Sequence, residues 1–278
     1  MKLKDTFWLW GHPEGCFNKG EWDADFFGES RMTPAEACNY LGIDRVFMVP
    51  FHHEVNRRQY NKSFSKLKNV GWECFGADKN PEKVEEIIKE ARDFPNISAA
   101  VFDDFFGQKK QRIENGESVD AKRLWQIRER LNKNEVRRID MWMVIYTREF
   151  GLDDAEDEDA KQYLSPFDGL IMWTWHERDI KLAPEKFEIL KKLSPSNRKM
   201  FGCYLYNFGE KKEATAEAVK WQLDFYREKI LLGEAEGIVF HTNTMADMDF
   251  AAYDAALEWI NEHGDEEIAP PVSNFTGN

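Results

Sequence analysis

The chain contains little cysteine and no C-x-x-C pair. Its 278 residues include four cysteines, Cys16, Cys38, Cys74 and Cys203, and a chain of this size can fold without disulfide bonds. We therefore expect reduced thiols and a cytoplasmic protein. The N-terminus lacks the apolar segment of a secretory signal, and no run approaches the roughly 18 apolar residues that a membrane-spanning helix needs. The sequence thus predicts neither a signal peptide nor a membrane span.

Positive charge is also scarce. The sequence has 38 Lys and Arg residues against 51 Asp and Glu residues, which gives a net charge of −13. Such an acidic chain is not expected to bind nucleic acid or an anionic membrane as its main partner. No G-x-G-x-x-G motif follows the first predicted strand, which disfavours a dinucleotide-binding fold. No linker rich in Pro, Gly and Ser divides the chain, and the sequence does not indicate an oligomeric state.

Aromatic residues, in contrast, are abundant. Ten Trp, 21 Phe and eight Tyr residues bring the aromatic fraction to 14% in a chain that is 32% charged. Rings in such numbers either fill a bulky core or form a platform for the flat, apolar face of a ligand.

Eight short apolar or β-branched runs alternate with segments of helical periodicity. The runs cover residues 6–11, 45–51, 71–77, 97–103, 139–146, 169–175, 200–206 and 237–243. Because they are apolar throughout, they predict strands covered on both faces, as in a parallel sheet. Eight strand–helix units predict an α/β fold, a closed (β/α)8 TIM barrel formed by one domain over residues 1–278. We expect residues 265–278 to be a surface tail.

The helical segments carry recognisable end signals. Residues 33–42 have Thr33 as N-cap, Pro34 at the first helical position and Gly42 as the stop. Further helices are predicted over residues 80–94, 118–132, 183–193, 213–233 and 250–264. The fifth unit is weaker, because its acidic segment 151–163 predicts at best a short helix.

Polar side chains gather at the predicted carboxyl ends of the strands, where the loops of such barrels carry the chemistry. Five of the six histidines fall at these ends. The candidate site residues are Trp10, His12, Glu14, His52, Asp103, Asp104, Tyr146, Arg148, Trp173, Trp175, His176, Glu177, Asn207, His241 and Asn243.

The fourth strand ends in two adjacent carboxylates, Asp103 and Asp104, followed by Phe105 and Phe106. Successive strand residues point to opposite faces, so we expect one aspartate to face the barrel mouth and the other to point sideways. The two phenylalanine rings are expected to keep water away from one of these charges.

Three functions remain compatible with this set. In a carbohydrate-active enzyme, for which these residues favour a glycoside hydrolase, Glu177 would be the general acid, because aromatic surroundings raise the pKa of a carboxyl group. Asp103 or Asp104 would be the partner carboxylate. The remaining candidates would bind the sugar, and no cofactor would be needed. A metal-dependent hydrolase or a sugar isomerase or epimerase would instead recruit a divalent metal through strand-end histidines and an aspartate. A non-catalytic barrel that binds a small-molecule or oligosaccharide ligand is the third possibility.

The eight βα units, the aromatic-lined mouth and the carboxylates after strands four and six resemble the (β/α)8 glycoside hydrolases over most of the chain. One large group of these retaining enzymes has a nucleophilic aspartate after strand four and an acid/base carboxylate after strand six. The resemblance therefore implies such roles for Asp103 or Asp104 and for Glu177. The Asn-Glu pair of another large group is absent, because this sequence has Phe102, Asp103 and Asp104 there.

Overall fold

A computed structural model describes residues 1–18, 29–51, 53–116 and 119–269 of the chain. Its strands are β1 (Phe7–Gly11), β2 (Arg45–Met48), β3 (Asn69–Glu73), β4 (Ile97–Phe102), β5 (Asp140–Tyr146), β6 (Gly169–Trp173), β7 (Arg198–Tyr204), β8 (Tyr206–Asn207), β9 (Lys212–Glu213) and β10 (Ile238–His241). Strands β1 to β7 and β10 form a closed, parallel barrel, in which β1 pairs with both β2 and β10. The predicted (β/α)8 barrel is confirmed. Strands β8 and β9 follow β7 in the chain and form a separate, two-stranded antiparallel sheet.

Helices cover the outside of the barrel. They are α1 (Pro34–Leu41), α2 (Arg57–Ser63), α3 (Glu82–Asp93), α4 (Phe105–Glu114), α5 (Ala121–Asn132), α6 (Asp154–Leu164), α7 (Ala183–Leu193), α8 (Ala216–Leu231) and α9 (Ala251–His263). The end signals of α1 are confirmed, because Thr33 and Glu36 form a reciprocal capping box and Gly42 has a left-handed φ of 67°. Across the described residues, no helix is both long enough and apolar enough to cross a membrane.

Three helices differ from the sequence prediction. Helices α2 and α4 were not predicted, because neither has a continuous apolar stripe, and α2 buries only the polar Asn61. Helix α6 has 11 residues, which is the length of an average α-helix, whereas the sequence predicts at best a short one. Its acidic start favours a helix, since Asp153 accepts hydrogen bonds from the N–H groups of Ala155 and Glu156, and further carboxylates face the positive end of the helix dipole.

Aromatic rings fill much of the barrel interior. Trp8, Trp10, Phe47, Trp142 and Trp173 all point inward and are at most 5% exposed. Small residues on the neighbouring strands make room for them. A Cβ atom added to Gly71 would lie 2.4 Å from the Phe47 ring, and one added to Gly169 would lie 2.2 Å from the Trp142 ring. The abundance of aromatic residues is thus partly a property of the core.

The buried carboxylate of Asp168 connects several elements at the amino-terminal end of the barrel. Asp168, which is 0% exposed, accepts hydrogen bonds from Arg128, Arg138 and Asn132 and from the backbone N–H of Met141. These contacts join α5 to β5 and β6, and the two guanidinium groups compensate the buried charge.

The two ends of the described chain meet at this end of the barrel. Lys2 and Glu267 form an antiparallel bridge, and the N–H of Ile268 donates to the carbonyl of Met1 at 2.8 Å. Residues 265–269 of the predicted surface tail are therefore paired with the N-terminal segment, and Ile268 is buried. Residues 270–278 lie outside the described residues.

Candidate functional site: a carboxylate-bearing pit in the barrel mouth

The carboxyl ends of the strands enclose a pit of about 230 Å³. Its wall is formed by Trp10, His12, Phe17, Phe51, Asp103, Asp104, Tyr146, Arg148, Trp173, Trp175, Tyr204, Phe208 and His241. The wall therefore combines aromatic faces with a small number of charged and polar groups, which is the usual composition of a small-molecule site.

Asp103 and Asp104 both line this pit, so the prediction that only one of them faces the cavity is wrong. Strand β4 ends at Phe102, and Asp104 has a left-handed φ of 49° and ψ of 29° at the start of α4. The alternation of side chains requires an extended backbone, and it therefore stops before the second aspartate. The left-handed turn brings the second carboxylate to the same side as the first.

The pKa of Asp103 is raised well above the ordinary aspartate range. Burial is the main cause, because the Asp103 carboxyl is surrounded by dense protein although part of the side chain still reaches the cavity. The negative charges of Asp104 and Glu73 add to the effect. The carboxyl group of Asp103 thus tends to keep its proton, which a general acid requires.

Glu149 is a third carboxyl group near the mouth. Burial raises its pKa to about 7, with a further contribution from the charge of Asp104. Its Oε2 accepts a hydrogen bond from the backbone N–H of Tyr146 at 2.9 Å. Glu149 therefore holds the end of β5 in place behind the pit wall.

Aromatic residues of three neighbouring strands form one side of the pit. The hydroxyl groups of Tyr146 and Tyr204 lie 3.3 Å apart, and the Trp175 ring stands perpendicular to both rings. The guanidinium of Arg148 lies 4.9 Å from the ring centroids of both Tyr146 and Trp175. A cation over two rings holds these rings in a fixed orientation.

Two histidines of β10 and of the loop after β1 continue the wall next to Tyr204, whose ring centroid lies 5.0 Å from that of His241. His12 Nε2 and His241 Nε2 are 3.4 Å apart, and His12 Nδ1 lies 2.8 Å from the carbonyl oxygen of Val49. Burial lowers the pKa of His12 to about 4 and that of His241 well below its ordinary value. Both imidazoles are consequently neutral at pH 7.

A second cavity of about 630 Å³ adjoins the pit on the side of β2, β3 and β4, and we call it the groove. Phe51, Asp103 and Asp104 border both spaces. The groove is otherwise lined mainly by polar residues, including His53, Arg57, Glu73 and Lys83. The two aspartates therefore stand where a narrow aromatic pit opens into a wider polar channel.

Glu177 does not lie in the pit, which contradicts its predicted placement beside the aspartates. Its carboxylate accepts hydrogen bonds from the N–H of Thr215 at 2.8 Å and from the Thr215 hydroxyl at 3.1 Å. Since Thr215 is the N-cap of α8, these bonds attach the loop after β6 to the start of that helix. The chain turns into a 3-10 helix at Glu177, so the extended backbone of β6 does not continue to this residue.

Four other candidates also lie outside the pit wall. His176, in the loop after β6, lies 3.3 Å from the Glu210 carboxylate, and Asn207 of β8 donates to Glu210, so both contact the segment between β8 and β9. Asn243 accepts a hydrogen bond from the His12 backbone N–H and donates to the Met32 carbonyl. Glu14 accepts from the Tyr60 hydroxyl at 2.9 Å. These residues support the mouth structurally, and His52 lies outside the described residues.

Several wall residues were missed by the sequence prediction. Tyr204 shares the inward face of β7 with Met200, which alternation could have shown, but the predicted strand ran two residues too far. Phe17, Phe51 and Phe208 come from loops, where no periodicity applies.

The two phenylalanines after Asp104 do not shield the aspartates as expected. Phe105 is 1% exposed and packs against Phe102 and Phe167 in the layer between the barrel and the helices. The rings that surround the aspartates in the pit belong to other strands and loops.

In the described parts of the chain, no three His, Cys, Asp or Glu side chains are grouped so that they could hold a metal ion. His12 Nδ1 and Nε2 are both engaged, with Val49 and His241 respectively.

No protein-family model and no curated protein matches this sequence. Solved structures do resemble it. Active domain 2 of a thermostable chitinase from Pyrococcus furiosus, a catalytic-site mutant complexed with chito-oligosaccharides, is 12% identical with a TM-score of 0.61, over 95% of this chain and 97% of that chain. A GH99 endo-α-mannosidase from Bacteroides thetaiotaomicron is 11% identical with a TM-score of 0.53, over 94% and 98%. The chain therefore shares the (β/α)8 fold of these glycoside hydrolases.

Proposed function

We propose that the chain is a glycoside hydrolase that cleaves an oligosaccharide at the junction of the pit and the groove. The observation that carries this proposal is the position of Asp103 and Asp104 on the border of both cavities. A sugar ring in the pit and the rest of the substrate in the groove would place the glycosidic bond beside both carboxyl groups. The aromatic wall suits the apolar faces of a sugar ring.

In this proposal Asp103 is the general acid, in place of Glu177. The raised pKa keeps a proton on Asp103, and this proton passes to the glycosidic oxygen as the bond to the anomeric carbon breaks. The carboxylate of Asp104 stabilises the positive charge that develops at the anomeric carbon. Water then adds to this carbon as the new hydroxyl group, and the proton that it loses passes to the Asp103 carboxylate, which restores the acid. This chemistry uses two carboxyl groups and water, and it requires no cofactor.

Arg148 and Tyr146 are proposed as binding groups in the pit, because both line it and are held together by the cation–π contact. A location in the cytoplasm remains part of the proposal, supported by four buried cysteines that form no disulfide bond within the described residues.

The test is a hydrolysis assay on chito-oligosaccharides, manno-oligosaccharides, gluco-oligosaccharides and the corresponding aryl glycosides, with detection of new reducing ends. The wild-type protein should cleave at least one class, and Asp103→Asn and Asp104→Asn should each lose about 10²-fold or more in kcat. Glu177→Gln is the matched control and should retain activity. Sugar binding without any product would instead indicate a binding protein, and unchanged kcat in both aspartate variants would refute the assignment.

A further inference from the structure

Two buried polar atoms in residues of the pit wall have no hydrogen-bond partner among the described residues. They are Nδ1 of His241 and Nε1 of Trp173. The two residues are 6% and 1% exposed, and their ring centroids lie 5.9 Å apart with the rings nearly perpendicular. Buried polar groups in native proteins are nearly always satisfied, so two unsatisfied ones beside a cavity point to a ligand.

The contacts of His12 determine which nitrogen of each histidine carries a proton. The carbonyl oxygen of Val49 can only accept, so His12 Nδ1, at 2.8 Å, must be the protonated nitrogen. In a neutral imidazole the other nitrogen, His12 Nε2, is then an acceptor. Its contact with His241 Nε2 at 3.4 Å requires a proton on His241 Nε2.

This chain of hydrogen bonds leaves His241 Nδ1 with a lone pair and no proton. His241 Nδ1 is therefore an acceptor, whereas the indole N–H of Trp173 is only a donor. A hydroxyl group is the simplest group that satisfies both, since its oxygen accepts and its hydrogen donates. A carboxylate or phosphate oxygen without a proton cannot donate to His241, and an ammonium group cannot accept from Trp173.

We propose that the pit contains a hydroxyl-specific subsite, in which one hydroxyl group of a neutral sugar donates to His241 Nδ1 and accepts from Trp173 Nε1. His12 is a positioning residue in this subsite, because it acts through the tautomer of His241. The subsite deepens the proposed function, on which its identification of the ligand as a sugar rests. It predicts a substrate whose ring in the pit carries an uncharged hydroxyl group at the recognised position.

The electrostatics of the histidine pair agree with a neutral ligand. Burial lowers the pKa of both imidazoles, so neither attracts an anionic substituent at pH 7. The histidine pair therefore offers no positive charge to a uronic acid or a sugar phosphate, and the cation of Arg148 belongs to another part of the pit wall.

The first test measures the tautomers in the free protein. In ¹⁵N-histidine NMR spectra of the wild-type protein at pH 7, His12 should carry its proton on Nδ1 and His241 on Nε2. Assignment of the two resonances uses His12→Gln and His241→Leu. A proton on Nδ1 of His241, or a charged imidazolium at either position, would overturn the proposal without reference to any ligand.

The second test measures binding of methyl glycosides of glucose, mannose, galactose and N-acetylglucosamine, and of their monodeoxy analogues, by calorimetry. For a sugar that binds, removal of one particular hydroxyl should weaken binding about tenfold or more, and removal of the others should have smaller effects. The ratio of interest is the dissociation constant of this deoxy analogue divided by that of the parent sugar. Trp173→Phe and His241→Leu should bring this ratio close to one. Trp175→Phe is the control, which should weaken parent and deoxy sugars alike and leave the ratio at this position unchanged.

The outcomes separate the subsite from the proposed function. A position-specific ratio that disappears in Trp173→Phe, without any hydrolysis, supports the subsite and refutes the hydrolase. Hydrolysis with equal binding of every deoxy analogue refutes the subsite alone, and absence of both binding and hydrolysis refutes both. Trp173→Phe removes the N–H donor and keeps an aromatic ring at this position, so it provides a second measurement of the ratio if His241→Leu does not fold.

Discussion

The indole of Trp173 on β6 lies directly over the backbone of Gly202 on β7. A Cβ atom added to Gly202 would lie 1.9 Å from Trp173 Cδ2, closer than any real contact of this kind. Trp173 also forms part of the pit wall next to His241. The absence of a side chain at position 202 therefore determines where one wall of the proposed site stands.

Gly202→Ala should therefore both destabilise the protein and damage the pit. The added methyl group forces the ring or the strand to move, which costs about 1–3 kcal/mol or more of unfolding free energy. For a chain of this size this lowers Tm by about 2–4 °C per kcal/mol. Thermal unfolding and sugar binding measure the two effects. Gly107→Ala in α4 is the matched control, since its nearest neighbour would be 3.9 Å away, and it should keep the wild-type Tm or raise it.

The pH dependence of hydrolysis should reveal the proton on Asp103. Because the acid form is the active one, kcat/KM should fall as pH rises through the raised pKa of Asp103. The apparent pKa of this alkaline limb should lie well above the ordinary value for aspartate, about 3.9. A pH–rate profile of the wild-type enzyme measures it. An alkaline limb that begins near pH 4 would contradict the role of Asp103 as acid.

The raised pKa of Glu149 should appear in the stability of the protein. The folded state keeps the Glu149 proton up to about pH 7, whereas the unfolded chain releases it near pH 4.5, so the unfolding free energy falls as pH rises through this window. Asp103 contributes with the same sign. Glu149→Gln should reduce the change in unfolding free energy between pH 4 and pH 8 by at most about 3 kcal/mol.

Urea titrations of both proteins between pH 4 and pH 8 measure this difference. The separation of the two curves should start to change near pH 4.5, where the unfolded chain releases the Glu149 proton, and the variant should gain relative stability toward pH 7. A difference that stays constant over the whole range would show that Glu149 is not perturbed by folding.

Glu177 should affect stability rather than catalysis. Glu177→Ala removes two hydrogen bonds to Thr215 at the start of α8, which should cost about 1 kcal/mol and a few °C in Tm. The kcat of the variant should equal that of the wild type. Loss of activity at an unchanged Tm would restore the acid role that the sequence had suggested for this residue.

Much of the barrel could be predicted because its signals are local. Helix α7 has the predicted bounds, Ala183–Leu193, and each predicted strand overlaps an observed one. Trp10, His12 and Trp173 are candidates from the predicted strand ends, and the structure places all three in the pit wall.

The alternation of side chains does not predict the direction of residues that follow the strands. Asp104 enters the pit through a left-handed turn, and Glu177 leaves it through a 3-10 helix. Loop conformation depends on contacts with other loops, such as the bonds from Thr215 to Glu177, which are 38 residues apart in sequence. No periodicity in a single segment contains this information.

The sequence by itself determined the order of the barrel strands and the acidic strand ends, because each depends on neighbouring residues. Only the tertiary structure decided which polar groups meet. His12 and His241 are 229 residues apart, and they touch because β1 closes the barrel against β10. Closure joins segments that no local pattern relates, and the left-handed turn at Asp104 then brings both aspartates into the space that closure creates.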